Sequence, residues 1–289
     1  MRNKLGLNYW VLGGFEGALA ASEAIDLTAT WKLDCLELTV PDLLPTDLSS
    51  SEGSRILRRA ASAGVSLETL ASGYYWDASL GSTDREERQR ALDFTREYIA
   101  LANRLEIGKI LITGGTVGVG WDASRPVTPY GEVWKHTAAS IGELEPVAAR
   151  AGVTLCIENV WNQFLLSPVE MQIFVDQFAS DRVGVYFDVG NVRAWGHPEH
   201  WIDLLGSRVK AVHIKNFAMS DGLGGLHGFT DDLARGDVDF EALRGAMERR
   251  SYEGPLIAEM IPFCRLPDLG LPDRELAEKT AGELRRLFK

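Results

Sequence analysis

Cysteine is scarce in this sequence, with three residues among 289: Cys35, Cys156 and Cys264. They are odd in number, lie far apart and form no CxxC pair, so the sequence indicates neither a disulfide framework nor a cysteine zinc site. Cys35 and Cys156 lie in apolar, strand-like runs, and we expect both to be core residues.

Long apolar runs are also missing. No segment approaches the roughly 20 apolar residues that a membrane helix requires. The N-terminal segment MRNKLGLNYW lacks the apolar stretch of a signal peptide. From these two absences we expect a cytoplasmic protein without a membrane partner.

Positive charge is in deficit: 30 Lys and Arg stand against 41 Asp and Glu, which gives a net charge of −11 and a pI near 5.0. The electric field of a protein with this negative net charge repels nucleic acid, so we expect no nucleic-acid partner. A small-molecule substrate remains compatible, because one local Arg or Lys can hold a phosphate. The oligomeric state is left open, with a homo-oligomer as one option.

Along the chain, short β-rich runs alternate with helical stretches. The clearest helical periodicity covers 84–104 and 130–150. Eight alternations, with the spacing of βαβ units, predict one (β/α)8 TIM barrel over residues 1–289. An open doubly wound sheet is the main competitor, but the first strand is not followed by its Gly-rich phosphate turn. The predicted strands are 4–9, 35–39, 65–71, 109–113, 154–158, 183–187, 209–214 and 255–259.

Four consecutive predicted strands carry a metal-binding type of side chain at their C-terminal ends: Glu158, Asp188, His213 and Glu259. In a TIM barrel these ends meet at the active-site mouth. Three carboxylates so close would raise one another's pKa unless a divalent cation lay among them. Oxygen ligands with one imidazole favour Mn²⁺, with Mg²⁺, Co²⁺ or Zn²⁺ as alternatives.

Further polar and aromatic residues near the strand ends are candidates for binding the substrate. Glu37 could hold a substrate hydroxyl at the end of the second strand, and Lys215 follows His213 closely. Asn159, Trp161 and Asn162 follow Glu158 and could line a sugar site by hydrogen bonding and stacking.

Four segments of the chain resemble the xylose-isomerase-like barrel superfamily, in particular its sugar isomerase and ketose 3-epimerase branch. They read CIENVWNQFLLSP, GVYFDVGNVRAWGHPEHWI, RVKAVHIKNF and GDVDFEAL followed by YEGPLIAEM. The resemblance implies that Glu158, Asp188, His213 and Glu259 hold one divalent metal. It also implies that Glu158 and Glu259 are the catalytic acid/base pair.

Two positions differ between branches of that superfamily. Members acting on free ketoses such as tagatose or psicose have a histidine three residues after the metal-binding aspartate, where this chain has Asn191. We count Asn191 among the substrate-binding candidates. The HIK triplet with Lys215 is similar to members acting on sugar phosphates and to inosose dehydratases, so the sequence leaves phosphorylation of the substrate open.

These observations favour a metal-dependent isomerase of carbohydrate metabolism that acts on a sugar or sugar phosphate. The expected reaction is ketose 3-epimerisation through an enediolate, in which one glutamate removes a proton and the other returns one. Aldose–ketose isomerisation and inosose-dehydratase-like elimination would use the same metal site. A DNA-repair enzyme of the endonuclease IV type is disfavoured by the five histidines and the net charge of −11, and a non-catalytic barrel by the presence of all four ligands.

Overall fold

All eight predicted strands form, and they pair in chain order into a closed parallel barrel in which the first strand also pairs with the eighth. This computed structural model describes residues 3–122, 124–222 and 225–289. The strand bounds agree with the predicted ones to within one residue at each end. They are β1 Leu5–Asn8, β2 Cys35–Thr39, β3 Ser66–Ala71, β4 Lys109–Thr113, β5 Thr154–Glu158, β6 Val183–Asp188, β7 Val209–Ile214 and β8 Leu256–Ala258.

The helices surround the barrel and cover its outer surface. The two helices with the clearest periodicity begin at Arg85 and Tyr130, and Asp84 caps the first by accepting hydrogen bonds from two backbone N–H groups. The helices are α1 Trp10–Gly13, α2 Ala21–Thr30, α3 Ser50–Ala63, α4 Arg85–Arg104, α5 Tyr130–Ala151, α6 Pro168–Asp176, α7 Val189–Arg193, α8 Pro198–Leu205, α9 Met219–Gly222, α10 Phe240–Arg249 and α11 Arg274–Phe288.

Two hydrophobic layers hold the fold together. One lies between the strands and the helices and contains most of the buried Leu, Ile and Val side chains. The other is smaller and lies inside the barrel, where Leu111, Cys156, Tyr186 and Ala211 belong to one cluster. As expected, Cys35 and Cys156 are buried free thiols. The barrel is therefore filled below its mouth, and a cavity opens at the C-terminal ends of the strands.

No helix in the described part of the chain has the length and apolar character needed to cross a bilayer.

Candidate metal centre and active site

The period-2 geometry of the strands places the candidate ligands at the barrel mouth. Cys156, Tyr186 and Ala211 point into the barrel, and residues two positions further along a strand share the same face. Those residues are Glu158, Asp188 and His213. Glu259 follows β8 directly. The filled interior thus forms the floor on which the four polar side chains lie.

The structure brings all four predicted ligands together. Each is buried, and each offers one ligand atom such that all four atoms lie within 4.8 Å of one another. His213 Nδ1 lies 3.2 Å from Glu158 Oε1, 3.8 Å from Asp188 Oδ2 and 3.7 Å from Glu259 Oε1. This arrangement can hold one divalent cation between three carboxylates and one imidazole nitrogen.

The electrostatics of the cluster also fit a cation. Burial raises the pKa of Glu158 to about 7, and the neighbouring carboxylates of Glu259 and Asp188 act in the same direction. The pKa of Asp188 is raised mainly by burial as well. Asp188 Oδ2 is buried and accepts no hydrogen bond from the residues that the structure describes. The Lys215 ammonium lies 2.9 Å from this oxygen and forms an ion pair with it. A divalent metal would add a second positive charge and a direct ligand contact for this oxygen.

His213 is oriented from below by Glu37. The Nε2 atom of His213 lies 2.7 Å from Glu37 Oε1, while Tyr186 donates a hydrogen bond of 2.6 Å to Oε2 and Asn8 one of 2.8 Å to Oε1. Burial alone would raise the pKa of Glu37, but the His213 charge and hydrogen bonding with His213, Thr69 and Tyr186 lower it below its ordinary value. An ionised carboxylate only accepts, so Nε2 carries the hydrogen and Nδ1 faces the other ligands.

The expectation for Glu37 is corrected by this placement. Its side chain is fully buried under His213 and does not line the cavity at the barrel mouth. It cannot contact a substrate hydroxyl, because the imidazole, the tyrosine and the asparagine occupy its oxygens. The geometry assigns it a positioning role toward His213 instead.

Glu37→Gln is expected to weaken Mn²⁺ binding by about 10–100-fold, the usual effect of removing a partner that orients a metal-binding histidine. Calorimetric titration of the metal-free protein measures this directly. Glu68→Gln is the matched control, because Glu68 is an acidic strand residue that pairs with Lys4 and Lys109 instead. Equal affinities in wild type and Glu37→Gln would contradict the positioning role.

Asn159 is likewise a positioning residue in the structure. Its side-chain amide donates to the backbone oxygen of Asp188 and accepts from the backbone nitrogen of the same residue, at 2.8 Å and 2.9 Å. Asn162 donates to the backbone oxygen of Gly115 and accepts from the backbone nitrogen of Phe164. Both asparagines are buried and neither lines the cavity. Their expected contacts with a sugar are therefore replaced by contacts that fix the strand end and the loop.

The other three substrate-binding candidates do line the cavity. It has a volume of about 680 Å³ and is bounded at its inner end by Glu158, Glu259, Lys215, Asn191 and Trp161. Trp161 donates from its indole nitrogen to the backbone oxygen of Asn191, at 2.8 Å. Lys215 salt-bridges Asp188 and Glu259, and its ammonium lies 5.2 Å from the centre of the Phe229 ring.

Sequence reasoning missed the aromatic walls of this cavity. Trp10, Phe15, Tyr74, Trp76 and Trp121 all line it, and all come from the segments that follow β1, β3 and β4, with Trp10 in α1 and Tyr74 and Trp76 in a 3-10 turn. A usable signal was present, because loops after strand ends form the mouth of a TIM barrel and the segments NYW and YYW follow two of those ends.

The sequence profile of the xylose isomerase-like TIM barrel family matches residues 25–287. The chain belongs to this family. The resemblance seen in the sequence is thereby confirmed, as is the predicted barrel.

Comparison with individual proteins shows how distant the relationships are. The chain is 25% identical over 258 residues to the L-ribulose-5-phosphate 3-epimerase UlaE of Escherichia coli O1:K1, covering 86% of each sequence. Its fold is similar to that of D-psicose 3-epimerase from Clostridium cellulolyticum H10, with a TM-score of 0.79, 19% identity and 99% of both chains covered. The 3-keto-D-glucoside 4-epimerase YcjR of E. coli gives a TM-score of 0.75 at 15% identity, covering 99% of this chain and 100% of that one.

Proposed function

We propose that this protein is a divalent-metal-dependent epimerase that inverts C3 of a ketose. The observation that carries the proposal is the placement of two glutamates: Glu158 and Glu259 line the same cavity, and β6 and β7 lie between their strands. Opposed carboxylates at one carbon are what epimerisation needs, since one takes a proton from one face and the other returns a proton to the opposite face. A relative named as a 3-epimerase supports the same reaction.

The four clustered side chains are the proposed metal ligands. A bound divalent metal supplies Lewis-acid stabilisation of the negative charge that develops on the ketose oxygens. Glu37 and Asn159 hold His213 and Asp188 in place. Glu158 and Glu259 move the protons, and the enediolate form of the sugar is the intermediate. Oxygen ligands with one imidazole favour Mn²⁺ as the physiological metal.

Lys215 and Asn191 are placed to act at the reacting end of the sugar. Lys215 projects into the cavity beside Glu259 and Asp188. An ammonium in this position can donate a charge-assisted hydrogen bond to an oxygen of the reacting centre. Asn191, with Trp161 bonded to its backbone, lines the neighbouring wall and is proposed to contact a sugar hydroxyl.

Lys215→Met is expected to lower kcat/KM for C3 epimerisation by about 10-fold or more, because a charge-assisted hydrogen bond to the substrate is lost. Steady-state kinetics of the metal-loaded protein measure the effect. Lys279→Met, which changes a surface lysine paired with Asp232, serves as the control. Unchanged kinetics in Lys215→Met would remove this residue from the active site.

The reaction itself is tested by incubating the Mn²⁺-loaded protein in D₂O with a panel of ketoses and ketose phosphates and recording NMR spectra. We expect deuterium at C3 together with the C3 epimer. Deuterium at C1 without exchange at C3 would instead show aldose–ketose isomerisation. Loss of water from the substrate would show an elimination of the inosose dehydratase type. The HIK triplet that contains Lys215 is also similar to the sequences of inosose dehydratases.

A further inference from the structure

The cavity above the candidate metal ligands is larger than one monosaccharide requires. Its volume of about 680 Å³ lies in the range of about 300–1,000 Å³ that accommodates drug-sized ligands of several rings. The acid/base pair lies at one end of this space. A sugar reacting there leaves the other end for a further part of the substrate.

The walls of that other end are aromatic. Besides Trp161 at the inner end, three of the eight tryptophans in the chain line the cavity: Trp10, Trp76 and Trp121. Trp76 and Trp121 meet edge to face with ring centres 5.2 Å apart, and Trp10 lies 5.7 Å from Phe15. Such rings offer flat apolar faces that stack on another ring.

Two of these rings remain half exposed: Phe15 by 47% and Trp121 by 46%. Each of them packs on another ring of the cavity lining, Phe15 on Trp10 and Trp121 on Trp76, and apolar surface around a cleft is typical of a ligand site. Because both lie on loops at the cavity mouth, a ligand reaching out from the inner end would cover them. The uncovered apolar surface and the spare volume are thus in the same place.

The charges of the cavity disfavour a phosphate. Among the lining residues that the structure describes, Lys215 is the one cation, and it is already paired with Asp188 and Glu259. Asp42 and Asp77 add carboxylates to the outer part of the lining. A phosphate group is normally held by Arg forks, by free Lys or by helix N-termini. The lining presents carboxylates and aromatic rings instead.

We propose that the substrate is an uncharged keto-sugar carrying an aromatic ring, and that Trp10, Phe15, Trp76 and Trp121 form the site for this ring. The inference rests on the proposed epimerase function, because it places the sugar at Glu158 and Glu259. The sequence leaves open whether the substrate is a sugar phosphate. The proposed substrate is an aryl-substituted sugar instead.

The substituent is tested with three forms of one ketose: D-fructose, 6-O-benzyl-D-fructose and D-fructose 6-phosphate. Each is incubated with Mn²⁺-loaded protein in D₂O, and kcat/KM is measured for exchange at C3. We expect the benzyl ether to exceed D-fructose by about 10-fold or more and the phosphate to be the poorest substrate. Equal values for the three, or a preference for the phosphate, would overturn the aryl site while leaving the epimerase function intact.

A binding measurement separates the two proposals. Calorimetric titration compares phenyl β-D-glucopyranoside with methyl β-D-glucopyranoside, neither of which needs to react. Tighter binding of the phenyl glycoside without C3 exchange on any ketose would support the aryl site and reject epimerisation. The absence of both exchange and a phenyl preference would reject both proposals.

Variants of Trp76 identify the surface involved. Trp76→Ala is expected to reduce the preference for the benzyl ether over D-fructose by about 10-fold, whereas Trp76→Phe keeps an aromatic face and most of the preference. Ile173→Ala is the control, because Ile173 is an exposed apolar residue on α6 that does not line the cavity. A preference that survives Trp76→Ala in full would place the ring elsewhere.

Discussion

Glu259→Gln is expected to lower the rate of C3 epimerisation by about 10²–10⁴-fold, the usual contribution of one general acid or base. The amide keeps an oxygen for the metal but can no longer exchange a proton with the sugar. Glu158 still faces the cavity, so it can remove and return a proton on its own side. One epimer should therefore exchange its C3 hydrogen with D₂O without changing configuration, as NMR can record.

Glu158→Gln should give the complementary result, with exchange confined to the other epimer. Metal content must be measured in both variants first, because both residues are also proposed ligands. Glu253→Gln, an exposed residue close to the start of β8, controls for the general effect of the substitution. If metal-replete Glu259→Gln epimerised at nearly the wild-type rate, the two-base mechanism would be refuted.

His213→Ala is expected to lose both metal and activity. Three carboxylates would remain without the nitrogen ligand of the cluster, and Glu37 would lose one of its hydrogen-bond partners. We expect Mn²⁺ affinity to fall by 100-fold or more, beyond the effect of removing an orienting partner alone. Metal analysis after dialysis and calorimetric titration measure the loss.

In His213→Ala the buried Glu37 carboxylate keeps its hydrogen bonds from Asn8 and Tyr186 but loses the one from His213, which destabilises the fold by about 1.5–3 kcal/mol. His213→Gln provides a second variant, whose side-chain amide retains a donor toward Glu37. Circular dichroism establishes that each variant is folded, and His200→Ala, at an exposed histidine, is the control. A folded His213 variant with one tightly bound metal ion would contradict the ligand assignment.

The strands could be predicted from the sequence because their signals are local. Buried parallel strands appear as short apolar runs between helical stretches, and all eight were found with errors of one residue or less. The four clustered residues follow from the same runs, since each lies at or next to a strand end. Their proximity needs only the assumption of a closed barrel, in which consecutive strands are neighbours.

The positions of Glu37 and Asn159 could not be obtained in this way. Whether a residue near the end of a barrel strand reaches the mouth or lies below it depends on the stagger between strands, which no local pattern reveals. Glu37 bonds to Tyr186, 149 residues away in the chain. Asn159 was read as a cavity residue because it follows Glu158, but its amide turns sideways to the backbone of the next strand.

The contact between Glu37 and His213 also bears on whether half of this barrel could exist alone. A fragment beginning at β5 would contain Glu158, Asp188, His213 and Glu259, and so the whole metal-ligand set. It would lack β2 and with it the carboxylate that fixes the imidazole. The C-terminal half therefore contains the four clustered side chains but not the carboxylate that orients one of them, and the proposed metal site draws on both halves of the chain.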